Sequence, residues 1–222
     1  MMKVVSFSLW GDKPMYTSGA IVNAELSKVI YPDWICRYHC GETVPDEIIS
    51  KLQSMDNVEV INRKEDCNWT GMFWRFEDAS DPKVDIMISR DCDSRLCNRE
   101  ASAVKEWENS DKKFHIMRDH PSHGVPILGG MWGAKKSAVS NMVELINSYV
   151  KGDFWQVDQD FLREVIYPIV KDDSVVHDEF FEKKPFPEKR NGYNFVGQVY
   201  DEKEETVREH LEIIKKYLEG RR

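Results

Sequence analysis

The 222-residue chain lacks any apolar run near the roughly 20 residues a membrane-spanning helix needs, so no transmembrane segment is expected. It also lacks a basic surplus. Its 31 Lys and Arg stand against 39 Asp and Glu, for a formal charge of −8, which argues against a nucleic-acid partner bound by phosphate neutralisation. There is no Gly-x-Gly-x-x-Gly and no Walker loop, so a dinucleotide or P-loop site is missing its phosphate cradle; Gly129-Gly130-Met131-Trp132-Gly133 does not open a helix as that cradle requires. The five cysteines form no even disulfide framework, and Met1–Trp10 is too short and too quickly polar for a signal peptide. Reduced thiols in a cytoplasmic protein are therefore expected. Cys36 and Cys40 flank His39, but no second Cys/His pair at zinc-site spacing follows. Repeats and low-complexity linkers are absent, which implies a single domain over 1–222.

What is present is a core-forming composition: 41% hydrophobic residues and seven tryptophans. Strand-like runs alternate with helical patterns. Strands are expected at Lys3–Leu9, Trp34–Tyr38, Val58–Ile61, Val84–Ser89, Phe114–Met117, Ile127–Trp132 and Val175–His177. Helices are expected at Ser18–Val29, Pro45–Ser54, Gly71–Glu77, Arg99–Glu108, Val139–Val150 and Phe161–Val165. That order implies an α/β fold with a largely parallel sheet, helices on both faces and a Rossmann-like first half. Residues 201–222 are dense in charge, with Val207, Leu211, Ile214 and Leu218 at helical spacing. They read as a C-terminal amphipathic helix packed on the domain or on a partner chain.

The most informative stretch is Val84-Asp85-Ile86-Met87-Ile88-Ser89-Arg90-Asp91-Cys92-Asp93. A β-branched run ends in two aspartates one residue apart, at the strand end where open α/β sheets bind ligands. Paired carboxylates repel unless a cation or hydrogen-bond donors compensate. Mn²⁺ or Mg²⁺ does so while filling its remaining positions with phosphate oxygens. The Asp-x-Asp thus reads as a metal site for a nucleoside diphosphate; the plainer reading is a surface turn.

Four segments occur together: Asp91-Cys92-Asp93, Phe114-His115-Ile116-Met117-Arg118-Asp119-His120, Pro126-Ile127-Leu128-Gly129-Gly130-Met131-Trp132-Gly133 and Asp158-Gln159-Asp160-Phe161-Leu162. In this order they resemble the nucleotide-sugar glycosyltransferases of the GT-A fold. The likeness is greatest to the chlorovirus capsid-glycan glycosyltransferase domain and, more distantly, to family 8 glycosyltransferases, and it spans roughly residues 3 to 180. It implies a GT-A mixed sheet and transfer of a hexose from a nucleotide-diphosphate sugar, a UDP-sugar by expectation, to a glycan or other hydroxyl acceptor. It further implies a nucleotide site at Ser8, Leu9, Trp10 and Tyr16, with Arg75 reaching the donor. Asp91 would contact metal and ribose, Asp93 would be the principal ligand, and His177 would complete the coordination and favour Mn²⁺. Gly129 and Gly130 would let backbone approach the donor sugar. Asp158 or Asp160 would supply a catalytic carboxylate, with Asp158 and Gln159 near the donor sugar in the family 8 pattern. Helix capping is the plainer use of Asp158 and Asp160. Asp119, His120 and His123 are loop candidates for sugar contacts, and Trp132 and Trp155 for stacking on a sugar face.

Two other classes compete. A haloacid-dehalogenase-type phosphatase would use Asp91 as nucleophile, with Lys135 or Lys136 and Asp172-Asp173 as later motifs. Arg95, however, stands where that pattern wants Thr or Val. A non-catalytic sugar- or metal-binding module would hold Ca²⁺ on Asp91 and Asp93, yet the loop offers few of the six to eight oxygens Ca²⁺ takes.

Overall fold

The first strand shows how the fold is organised. In β1 (Lys3–Leu9), Val5, Phe7 and Leu9 pack into one buried cluster, while Val4 packs into another on the opposite face. Period-two alternation with both faces buried requires cover on both sides. The computed structural model describes residues 1–150 and 152–220. It contains a seven-stranded sheet formed by β1, β2 (Ile35–Gly41), β3 (Val58–Arg63), β4 (Ile86–Ser89), β5 (Phe114–Arg118), β6 (Trp132–Lys135) and β7 (Ser174–Asp178). The order is β3-β2-β1-β4-β6-β5-β7. Only β6 runs antiparallel to its neighbours, β4 and β5.

One face is covered by α1 (Pro14–Ile30), α2 (Asp46–Gln53) and α3 (Asn98–Glu108), through Ala20, Ala24, Leu52, Val104 and Trp107. The other is covered by a 3₁₀ segment (Trp69–Ser80), α4 (Met142–Ser148) and the run from α5 (Val157–Phe161) through a π-turn (Leu162–Ile166) into α6 (Tyr167–Val170). The last helix, α7 (Arg208–Glu219), buries Ile214 against Phe180 and Phe195. Among the described residues, no helix is long and apolar enough to cross a membrane.

Three expectations need correction. The strand foreseen at Ile127–Trp132 begins only at Trp132, because Gly129-Gly130 forms a turn closed by Met131 N–H to Leu128 O at 3.1 Å. The helix foreseen at Gly71–Glu77 is 3₁₀. Its three residues per turn put Met72, Arg75 and Asp78 in one line above β1: Ser8 accepts from Arg75 N–H at 3.1 Å, and Ser6 Oγ donates to Asp78 at 2.5 Å. A 3₁₀ turn rises about 6 Å and two strand residues about 6.6 Å, so turn and strand stay in step. In the tail, helix starts only at Arg208, because Asp201 turns the chain by accepting from Lys203 and Glu205 N–H. Residues 221–222 of the foreseen helix lie outside the described residues.

Trp132, foreseen as a sugar platform, is fully buried and stacked on Phe114 at 5.2 Å. Trp132→Ala is expected to lower unfolding stability by about 3–5 kcal/mol in a urea titration. A loss under about 1 kcal/mol would contradict its core role.

Candidate active site at the β1/β4 switch point

The chain winds outward from β1 through β2 to β3, then returns to place β4 on the other side of β1. The carboxyl ends of β1 and β4 therefore flank the crevice where sheet order reverses, the usual ligand position in open α/β sheets. Asp91 and Asp93 follow β4, and Trp10 and Tyr16 follow β1.

Arg75 lies at the centre. It is buried, and its guanidinium donates from Nη1 to Asp91 Oδ1 at 2.6 Å and from Nη2 to Asp158 Oδ2 at 3.0 Å. These three residues come from the 3₁₀ segment, the β4 exit and α5. Gly129 and Gly130 press against them: a Cβ on Gly129 would stand 2.4 Å from Asp158 Oδ2, and one on Gly130 2.0 Å from Asp91 Oδ2. Only glycine permits that approach. Ser89 Oγ fixes the turn by donating to Gly129 O at 2.7 Å.

The electrostatics follow from burial. Desolvation, then repulsion from Asp91, pushes the Asp93 carboxyl up to about 7, with Arg75 opposing. Burial raises Asp158 too; Arg75 pulls it down and Asp91 pushes it up. Burial raises the Tyr16 phenol, and the charges of Asp93 and Asp91 add to the rise, which places Tyr16 beside the acidic loop. Tyr200 N–H donates to Asp93 O at 2.8 Å, so a segment far along the chain closes over that loop. Nothing local in the sequence signals this contact.

Other foreseen residues have different surroundings. Ser8 and Leu9 are buried; the Ser8 hydroxyl serves Arg75 N–H, and Leu9 belongs to the core. Trp10 is half-buried and meets Trp74 edge-on at 6.0 Å. Gln159 directs its backbone N–H to Asp158 Oδ1 at 2.9 Å. Asp160 pairs with Arg163 one helical turn on, at 2.8 Å, while Arg75 takes Asp158. Two positions apart on a helix face different ways. His177 lies on β7, at the edge of the sheet beyond β5. It is buried between His115 Nε2 at 2.8 Å and Glu106 at 3.4 Å, and burial lowers its basicity. Among the described residues, no three His, Cys, Asp or Glu side chains gather into a metal-binding group, so His177 does not join Asp91 and Asp93.

Asp119 is fully buried and receives Arg99, Arg190 and Val196 N–H, which anchors the loops after β5 and β7. His120 caps the carbonyl of His210 in α7 at 2.9 Å, and His123 accepts from Asp119 N–H. These three hold the fold. All five cysteines are free thiols. Cys36 and Cys40 face the core, whereas His39, on the other side of β2, meets Asp78. The phosphatase arrangement fails on geometry. Lys135 pairs opposite Ile86, at the start of β4, and donates to Glu108 O and Ser110 O, at the sheet end remote from Asp91. Lys136 reaches Pro82 O, and Asp172-Asp173 lead into β7 beside Lys112 and Lys113 at that same end.

Asp91 and Asp93 suit a divalent cation that arrives with its own oxygens. Among the described residues Asp93 forms no ion pair, with Arg75 and Arg95 acting on it only at a distance, whereas Arg75 pairs directly with Asp91. Two carboxylates with phosphate oxygens and water make a Mn²⁺ or Mg²⁺ set; they do not make an all-protein cage.

No protein-family model and no curated protein sequence matches the chain. Solved structures do match. A glycosyltransferase involved in glycosylation of the major capsid of PBCV-1 aligns over 81% of this chain and 82% of its own, with TM-score 0.53 and 12% identity. A mannosyltransferase from Pyrobaculum calidifontis, in complex with GDP-Man and Mn²⁺, aligns over 80% of this chain and 55% of its own, with TM-score 0.54 and 11% identity. The 4-diphosphocytidyl-2C-methyl-D-erythritol synthase of Anaerococcus prevotii aligns over 98% of both chains, with TM-score 0.51 and 10% identity. The chain has the GT-A fold.

The raised Asp93 carboxyl has a consequence for stability. Its pKa rises from about 3.9 in an unfolded chain to about 7 when folded. Its contribution is thus fully present below pH about 4 and lost as pH rises through 7. Asp93→Asn is expected to flatten the fall in melting temperature between pH 5 and pH 8 and to be more stable than the parent at pH 8. An unchanged pH profile would contradict the assignment.

Proposed function

We propose that this protein is a metal-assisted glycosyltransferase that moves a hexose from a nucleotide-diphosphate sugar, with a uridine diphosphate sugar as the expected donor, to a hydroxyl of a glycan. The observation that carries the reading is Arg75 joining Asp91 to Asp158, against Gly129-Gly130, at the switch point of a GT-A sheet.

In this reaction the bond from the anomeric carbon to the diphosphate oxygen breaks and a bond to the acceptor oxygen forms. The acceptor proton goes to a base, and the nucleoside diphosphate departs with the electron pair. Mn²⁺ or Mg²⁺, when bound, supplies Lewis-acid stabilisation of the charge growing on that diphosphate. Asp91 and Asp93 would hold the ion. Trp10 and Tyr16 would border the base and ribose, and Gly129-Gly130 would present bare backbone to the donor sugar. Asp158, kept in place by Arg75, is the carboxylate assigned to the reacting sugar, since Asp160 is turned to Arg163. Because Arg75 touches both carboxylates, it would fix the spacing between the metal side and the sugar side of the site. Reacting groups held a fraction of an ångström from their best position lose rate steeply.

The likeness to the diphosphocytidyl synthase over nearly the whole chain favours one second reading, a nucleotide-binding transferase acting on a cytidine nucleotide in the same crevice. Calorimetric titration with UDP, and separately with CDP, separates the two. For the glycosyltransferase, UDP is expected to bind with Mn²⁺ and to lose that binding in EDTA. CDP binding in preference to UDP would favour the second reading, and no UDP binding in either condition would remove the first. Asp93→Ala is expected to abolish metal-dependent UDP-sugar turnover with the fold intact. Arg75→Lys, which keeps the charge but loses the two-pronged geometry, is expected to lower kcat about 10²-fold with a far smaller change in UDP affinity. Undiminished turnover in Asp93→Ala would refute the metal site.

A further inference from the structure

Most of the chain's tryptophans are hidden. Trp34, Trp74, Trp107 and Trp132 are buried, and Trp10 is half-buried. Trp155 is 66% exposed and Trp69 41% exposed. Both belong to segments that carry the central ion pair. Trp69 opens the 3₁₀ segment that bears Arg75, and Trp155 precedes α5, which bears Asp158. The two segments meet where Trp69 N–H donates to Asp153 Oδ1 at 3.3 Å. Phe154, between Asp153 and Trp155, is 45% exposed and folds its ring over Gly152. The turn is strained as well: Gln156, not a glycine, has φ +72°. A non-glycine residue held there persists where surrounding structure demands it, and such positions gather at functional sites.

We infer that Trp69, Phe154 and Trp155 form an acceptor subsite in which a neutral saccharide ring stacks on exposed aromatic faces beside the Arg75–Asp158 pair. The inference rests on the glycosyltransferase reading and adds the chemical class of the acceptor end that docks. Large aromatics left in water beside a site mark a binding surface. The electron-rich face of an indole attracts the weakly positive C–H groups on the flat side of a pyranose. Charge selects among occupants. The segments 63–70 and 151–163 carry Arg63, Lys64, Lys151 and Arg163 against Glu65, Asp66, Asp153, Asp158 and Asp160. Asp158 and Asp160 are already paired with Arg75 and Arg163, so no unbalanced block of either sign stands beside the exposed rings. Such a surface lacks the basic cluster on which binding of an anionic lipid headgroup relies, and it suits an uncharged sugar whose hydroxyls donate to carboxylates. Trp155 stands three residues before Asp158, so the two backbone positions are within about 11 Å of each other.

The test titrates full-length protein with methyl hexosides and with laminari-, cello- and chito-trioses, reading tryptophan fluorescence. Parent, Trp155→Ala, Trp69→Ala and Trp155→Tyr are compared, with melting temperatures confirming that each is folded. At least one saccharide is expected to give a saturable change in the parent. Affinity should fall about tenfold or more in each alanine variant, a loss of about 1.4 kcal/mol, and recover in Trp155→Tyr. An affinity kept in Trp155→Ala and Trp69→Ala overturns the subsite, as does a panel that gives no change in the parent. Trp155-dependent binding to phosphatidylglycerol vesicles, or Trp155-dependent dimers in sedimentation, assigns the surface to a membrane or to a second copy and also overturns it. Metal-dependent UDP binding by the parent, measured separately, reports on the glycosyltransferase reading itself, so the two can fail independently.

Discussion

A buried guanidinium between two carboxylates organises this molecule. Among the described residues Arg75 pairs its charge with Asp91 and Asp158. Asp158 is buried and would be costly to keep there without it, while Asp91 stays partly open to solvent. The three residues belong to three elements on different parts of the sheet. Satisfying one charge therefore fixes the β4 exit, the 3₁₀ segment and the start of α5 relative to one another. The double glycine is a corollary, since two backbone units must pass within contact of this ion triad and a side chain on either would displace a carboxylate.

Asp93 lies outside that balance. Arg75 compensates Asp91 directly and Asp93 only at a distance, so the second aspartate keeps an unmet demand for positive charge. One aspartate is paired within the protein, and under the proposed function the other would be open to a cation. This asymmetry suits a site that loads its cation together with an anionic substrate, because a cage satisfied in advance would hold the ion too firmly to let a diphosphate complete the shell. A second polar assembly, Ser6–Asp78–Arg37–His39, lies farther down the same 3₁₀ segment. It anchors that segment to β1 and β2 and so steadies Arg75 from below.

Much of this was legible in the residues. Apolar runs located six of the seven strands to within a few positions, because period-two burial on a two-sided sheet leaves a strong mark; the run expected at Ile127–Trp132 shares only Trp132 with β6. Of the residues expected at the site, the structure gathers Asp91, Gly129, Gly130 and Asp158 around Arg75. What escaped was set by distant partners. Ile127-Leu128 reads as strand by composition, yet the glycine turn needed at the rim ends that option. His177 follows a late strand as a ligand would, but the sheet order puts β7 at the edge beyond β5, with β6 between β5 and β4. Asp158 and Asp160 are indistinguishable as letters; only the direction of the helix separates the one facing Arg75 from the one facing Arg163. Asp119 looked like a loop residue, because the arginines that claim it lie in α3 and beyond β7.

The step-for-step match between the 3₁₀ segment and β1 bears on how such a chain can vary over evolutionary time. Ser6 and Ser8 meet Asp78 and Arg75 through hydrogen bonds to both side chain and backbone. Adding or deleting one residue between Trp69 and Ser80 would rotate Arg75 by a third of a turn and strip both of its carboxylates of their partner. A change of length in this stretch is therefore costlier than a substitution at a position that makes none of these contacts. Insertions that diversify the chain belong elsewhere, at exposed connections such as the Gly192 turn, which has open space around it.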